Sequence, residues 1–150
     1  SFCSALSQTM GLDPIKYETV LDNACGAAAR MINSAPNLVP VDQVIPAILR
    51  LLPLRSDFEP AISVHECIFN LLQAKHASIV NSADQITSIF VQELLTGALP
   101  NEKIRDQLVN FLKGVYNANK QSIDSTMEGM VQQGRASQEN ASQLHAQLNA

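Results

Sequence analysis

Residues 42–52 read DQVIPAILRLL, and residues 84–94 read DQITSIFVQEL. A shift of 42 places lays Asp42-Gln43-Val44 on Asp84-Gln85-Ile86, Ile48-Leu49 on Phe90-Val91, and Leu52 on Leu94. Each stretch opens on an aspartate and repeats its apolar residues every three or four positions, the spacing of one buried helix face. Asp42 is the predicted opener of its helix, with Val44, Ile45, Ile48, Leu49 and Leu52 on the buried stripe. Pro46 falls in the first turns, where a missing N–H does least harm.

The neighbouring helices repeat as well. A shift of 41 lays Val20-Leu21 on Ala61-Ile62, Ala27-Ala28 on Ile68-Phe69, and Met31 on Leu72; a further 43 carries Ile68-Phe69 onto Phe111-Leu112 and Leu72 onto Val115. Two helices in every ~40–47 residues is the HEAT/armadillo period, in which a hairpin covers its apolar face only by stacking on its neighbours. The sequence therefore predicts an all-α fold, an α-solenoid of HEAT repeats, with repeats over 1–33, 41–75 and 82–118 and capping helices over 121–150.

In detail, a first helix over 15–32 follows Asp13-Pro14 as N-cap and N1, with Val20, Leu21, Ala24, Ala27, Ala28, Met31 and Ile32 inward. A helix after Ser56-Asp57 turns in Phe58, Ala61, Ile62, Ile68, Phe69 and Leu72, and a loop covers 76–81. Ser82 caps a helix ending at Gly97, Pro100-Asn101 opens the next, and two short helices flank Gly134. The stretch 132–150 is rich in Gln, Ser and Asn, as suits a terminal cap, whereas Phe2, Cys3, Leu6 and Met10 read as a helix with a missing upstream neighbour. The expectation is a C-terminal piece of a longer array.

Composition narrows the function classes. A formal charge of −4, from 10 basic and 14 acidic side chains, argues against a duplex-DNA or RNA binder, because phosphate affinity comes from clustered Lys and Arg. Cys3, Cys25 and Cys67 form no C-x-x-C pair and sit among apolar residues, which reads as a reducing compartment. The most apolar stretch, 44–54, is short and broken by Arg50, so no membrane span is expected. Asn140-Ala141-Ser142 matches a glycosylation sequon too short to carry weight.

No catalytic, metal or cofactor site is predicted. His65, His76 and His145 are scattered, the His65-Glu66-Cys67 run diverges on a helix, and His65 reads as a core or boundary histidine. The six glycines form no phosphate-binding loop. The informative feature is the polar stripe of alternate helices: Lys16, Thr19, Asp22, Asn23, Gly26 and Arg30, then Glu59, Ser63, Glu66 and Asn70, then Glu102, Asp106 and Asn110. Carboxylates and amides so arranged suit basic, extended ligands, while the plainer alternative is a set of solvated helix faces.

Three runs carry a resemblance: DNACGAAARMI at 22–32, VPVDQVIP at 39–46 and LPLRSDFE at 52–59. They resemble the C-terminal HEAT repeats of the importin-β (karyopherin-β) nuclear transport receptors, over about residues 15–75. The resemblance implies a receptor that shuttles between cytoplasm and nucleus, carries basic cargo such as ribosomal proteins and histones through the pore past nucleoporins, and releases it to Ran-GTP bound mainly at N-terminal repeats absent from this chain. It implies no enzyme activity, no cofactor, and no nucleic acid or membrane as direct partner. It also implies that second helices line the concave side, here 15–32 and 57–74, and makes Asp22, Asn23, Glu59, Glu66, Asn70, Glu102 and Asp106 the candidate cargo-binding residues. For Asp22 and Asn23 a structural role, bonding across neighbouring helices, stands beside cargo contact. A scaffold or structural cap that binds a partner's helix is the alternative to direct cargo contact.

Overall fold

The computed structural model describes residues 8–13 and 15–150, in two units that meet at Ala83 and Asp84. The expectations on Phe2, Cys3, Leu6 and Pro14 lie outside the described residues. Among the described residues every regular element is a helix.

The first unit holds α1 (Glu18–Ser34), α2 (Val41–Leu51), α3 (Ala61–Gln73) and the single turn α4 (Ala77–Val80), with a 3-10 turn at Pro36–Leu38. The first helix starts later than predicted, at Glu18 instead of residue 15, because Asp13 does not cap it. Its Oδ1 accepts the N–H of Ile15 at 2.9 Å, which closes a local turn ahead of the helix. Leu21, Ala24, Cys25, Ala28, Ala29 and Ile32 form the buried stripe of α1. Val20 is half exposed, at 50%, because it stands one residue, about 100° of helix, off that stripe.

Helix α2 opens one residue before Asp42, and Pro46 points to solvent, where its missing bond can be replaced by water. Helix α3 begins at Ala61, not at Ser56-Asp57: Asp57 Oδ1 accepts the N–H of Glu59 at 3.1 Å, so the chain turns once more before Pro60 starts the helix. Its buried stripe is Ala61, Val64, His65, Cys67, Ile68 and Leu71. That is a small rotation from the predicted one, and it leaves Ile62 at 39% exposure. The segment predicted as loop contains α4, held by the His76 ring accepting from the Ser78 N–H and by the Ser78 hydroxyl donating to Asp42 on α2.

Helix α1 packs most extensively on α3, with α2 against α1 and α4 against α2 and α3. The pairings show direction: Asp22 meets Ser56, Gly26 meets Pro60, and Asn33 Nδ2 donates to the Ser63 carbonyl at 3.2 Å. Both sequence positions climb together, so α1 and α3 run parallel, as equivalent helices of successive hairpins must.

The second unit holds α5 (Ala83–Thr96), α6 (Glu102–Gln132) and α7 (Gln138–Leu148). Gly97 ends α5, as predicted, in the left-handed conformation with φ +73°, and Gly134, with φ +72°, does the same for α6. Asn101 Oδ1 caps α6 by accepting from the Ile104 N–H at 3.0 Å. Phe90 meets Phe111 edge to face, with centroids 5.2 Å apart. Helix α6 breaks at Asn119 (φ −126°, ψ 19°), whose Nδ2 bonds the Val115 carbonyl at 2.9 Å. A side chain competing for an i−4 carbonyl is a known source of a kink, and here the chain kinks and carries on as one helix where the sequence predicts separate helices. Met130, Met127 and Ile123 beyond the kink are buried, and α6 packs on α7, whose buried residues are Ala141, Leu144 and Leu148.

Candidate functional site

Burial pushes the Cys25 thiol up to about 12, with the Asp22 charge adding to it, and Cys67 likewise to about 12 with Glu66 adding. A thiol so buried is a packing residue. His65 is fully buried, its Nδ1 2.7 Å from the Ala61 carbonyl. Among the described residues no three His, Cys, Asp or Glu side chains converge to hold a metal ion.

The seven candidate residues divide into three kinds. Asp22 is not a surface residue. It is 2% exposed, and its carboxylate accepts the N–H groups of Arg55 (3.0 and 3.2 Å), Ser56 (2.7 Å) and Asp57 (2.8 Å). Buried charge demands such partners, so of the two roles left open by the sequence the structural one holds for this side chain, and it leaves the contact set. Asn23 is exposed, but its Nδ2 bonds the Thr19 carbonyl at 2.9 Å, which leaves its amide oxygen to the surface.

Glu59, Glu66 and Asn70 are exposed in the first unit. Glu66 and Asn70 stand one turn apart on α3, in line with Ile62 and Gln73. Glu59 sits in the turn that starts α3 and is fixed indirectly: Asp22 holds the Asp57 N–H, and Asp57 in turn holds the Glu59 N–H. Glu102 and Asp106 are exposed one turn apart in the second unit, on the opening turns of α6. Arg105, between them in sequence, reaches away to the Leu94 carbonyl at 3.4 Å.

Sequence reasoning missed the hydroxyl pair Thr19 and Ser56, 2.8 Å apart, which closes the same loop that Asp22 anchors. It also missed a polar cluster in the second unit. Tyr116, buried before the α6 kink, donates to Asp124 Oδ1 beyond it at 2.9 Å, and the His145 ring of α7 lies edge-on to Tyr116 with centroids 6.3 Å apart. Burial, then the bond to Asp124, raises the Tyr116 hydroxyl above the usual tyrosine range. The only signal for this cluster was the break itself, because on a straight helix residues eight apart are two turns distant.

Set against known proteins, the chain is 30% identical to the "Probable importin subunit beta-4" of Schizosaccharomyces pombe over 101 residues, 66% of this chain and 9% of that protein. It is 29% identical to "Importin-4" of Homo sapiens over 85 residues, 57% of this chain and 8% of that one. It is 31% identical to "Importin-4" of Mus musculus over 74 residues, 49% and 7%. The matched stretches thus span less than a tenth of these curated relatives. No family model and no solved structure matches the chain.

Proposed function

From the premise that this chain belongs to the importin-β family and has its HEAT-repeat fold, we propose that it supplies part of the cargo-holding surface of a nuclear import receptor. On this reading the chain is not an enzyme. The cargo is basic protein of the ribosomal-protein or histone kind, the receptor shuttles between cytoplasm and nucleus, and Ran-GTP and nucleoporins engage it through other repeats. No helix among the described residues is long and apolar enough to cross a membrane.

The observation that carries the reading is the pairing of exposed carboxylates with a rigid support. Glu66 has only Ile62, Ser63, Phe69 and Asn70 as its three- and four-residue neighbours on α3, so no basic side chain of that helix neutralises it. Glu59 is held at the entry of the same helix by the relay from buried Asp22. A charge whose backbone is already fixed loses less freedom on binding, so each contact to a partner lysine or arginine gives more. Asp22 therefore serves the surface by positioning it. In the second unit Glu102 and Asp106 place two exposed carboxylates one turn apart on α6.

The test is fluorescence anisotropy of this chain with a Lys-rich peptide at about 50 and 200 mM salt, where screening lengths differ about twofold. The expected result is binding that weakens steeply with salt. The combined variant Glu59→Lys, Glu66→Lys, Asp106→Lys is expected to lose about tenfold to a hundredfold in affinity. Unchanged affinity in that variant would remove these residues from the contact surface.

One observation favours the alternative, a scaffold that binds a partner's helix. Ile62 is 39% exposed on the same stripe as Glu66, and Val20 is 50% exposed on α1. That reading expects Ile62→Ser to weaken a partner far more than the charge reversals do, with little dependence on salt.

A further inference from the structure

The second half of α6 and α7 leave a groove of about 310 Å³ between them, lined by none of the residues invoked above as cargo contacts. Met127, Val131 and Ala141 give it apolar surface, with Met127 and Ala141 buried, and Gln138 and His145 of α7 also line it. Its rim on the α6 side carries Asp124 and Glu128, one turn apart, with Ser142 of α7 opposite. We propose that this groove receives a lysine or arginine side chain from an extended segment of a partner protein, stem on the apolar surface and cationic head between the two carboxylates.

The chemistry of the walls selects that occupant. Asp124 is held in place, since Tyr116 donates to its Oδ1 at 2.9 Å, and His145 Nε2 stands 4.0 Å from the same oxygen. Glu128 is exposed and has no hydrogen-bond or ion-pair partner among the described residues. Carboxylates at i and i+4 repel one another, and a cation placed between them turns that repulsion into two attractions. An anionic ligand would meet both charges. A wholly apolar side chain would cover the apolar surface but strip water from the carboxylates with nothing in return. A long basic side chain satisfies both parts, because its methylenes lie on apolar surface while its head stays at the polar rim. The proposal shares with the preceding reading only the basic character of the partner, and none of its residues.

The experiment uses the whole chain and a labelled peptide of alternating lysine and glycine, followed by anisotropy and by amide chemical shifts. Glu128→Gln is expected to weaken binding about threefold to tenfold at low salt. Ser142→Lys, which tethers an ammonium over the groove, is expected to weaken it further, and neither exposed position holds up the core. Shifts should appear at Glu128, Val131, Ala141 and Ser142 and should vanish with the lysine-acetylated peptide. The proposal fails if both variants bind like the parent, if the shifts avoid these residues, or if the acetylated peptide produces them equally. Glu59→Lys with Glu66→Lys, measured alongside, separates the two surfaces: loss there with none in Glu128→Gln sustains the first reading and overturns this one, and the reverse does the opposite.

Discussion

A single buried carboxylate decides how the first unit presents its surface. Asp22 gathers three consecutive N–H groups from residues more than thirty positions downstream, so its removal leaves the loop before α3 without its acceptor. Hydrogen bonds to a charged group are worth ~1.5–3 kcal/mol, and water can reach part of this loop, so Asp22→Ala is expected to lose about 2–3 kcal/mol. The urea midpoint at unchanged slope reads this loss, and a shift of a few tenths would show that the loop holds itself. The same scale gives a pH prediction. An unburied thiol titrates at 9.0, whereas burial, first of all, holds Cys25 and Cys67 in the folded chain at about 12. Between those values the unfolded chain sheds protons that the folded chain keeps, so their contribution is full below pH 9 and is lost as pH rises toward 12. Tyr116 is shifted in the same direction. In a Cys3→Ser background, a thiol reagent at pH 8 should react only as fast as the chain opens, and melting should fall with pH through that window. Rapid labelling of either cysteine in the folded chain would contradict its burial.

Between elements, the parallel approach of α1 and α3 depends on Gly26. A Cβ there would lie 2.6 Å from Pro60 Cβ and 3.2 Å from Pro60 Cα. In an open helix Gly→Ala gains up to ~1 kcal/mol, but overpacking costs about 1–3 kcal/mol, and a proline ring cannot swing aside. Gly26→Ala is therefore expected to destabilise, by about 1–2 kcal/mol net; a raised melting temperature would mean that the two helices separate without cost. Asn101→Ala removes the α6 cap bond to Ile104 and is expected to cost about 1 kcal/mol by the same denaturant measurement, with no change meaning that water caps the helix as well. These elements were legible in the sequence to different depths. The all-α class, the hairpin period and the helix ends at Gly97 and Gly134 follow from periodicity and from residues with one conformational use, whereas the continuation of α6 through Asn119, where the sequence predicts separate helices, does not. The starts of α1 and α3 do not, because Asp13 and Asp57 cap local turns as readily as helices, and nothing in a short window says which. Of the candidate surface, the exposed Glu59, Glu66, Asn70, Glu102 and Asp106 follow from their distance from the apolar stripe. Asp22 shares that pattern and is buried, since its partners arrive from another hairpin and leave no trace in local spacing.

At the scale of the whole chain, a formal charge of −4 would by itself draw basic ligands, so a loss of affinity on charge reversal has two possible origins. Net charge acts at long range and without regard to position, while a contact surface acts only through the residues that touch. Glu59→Lys with Glu66→Lys moves the formal charge from −4 to 0, two units for each reversal, and Asp42→Lys with Asp84→Lys does the same from the opening turns of α2 and α5. The second pair gives up favourable helix-terminal charges, about 0.3–1 kcal/mol each, and Asp42 its bond from Ser78, so folding is checked by melting before binding is compared. If fixed carboxylates on α3 hold the partner, the first pair loses affinity through faster dissociation, and the second changes mainly the association rate at low salt. Equal losses in both pairs, carried by the association rate and abolished at 200 mM salt, would reduce the surface to a diffuse acidic field and withdraw Glu59 and Glu66 as contacts. A loss confined to the first pair and persisting as a faster off-rate at that salt would fix the binding face on α3, where the buried relay from Asp22 holds it ready.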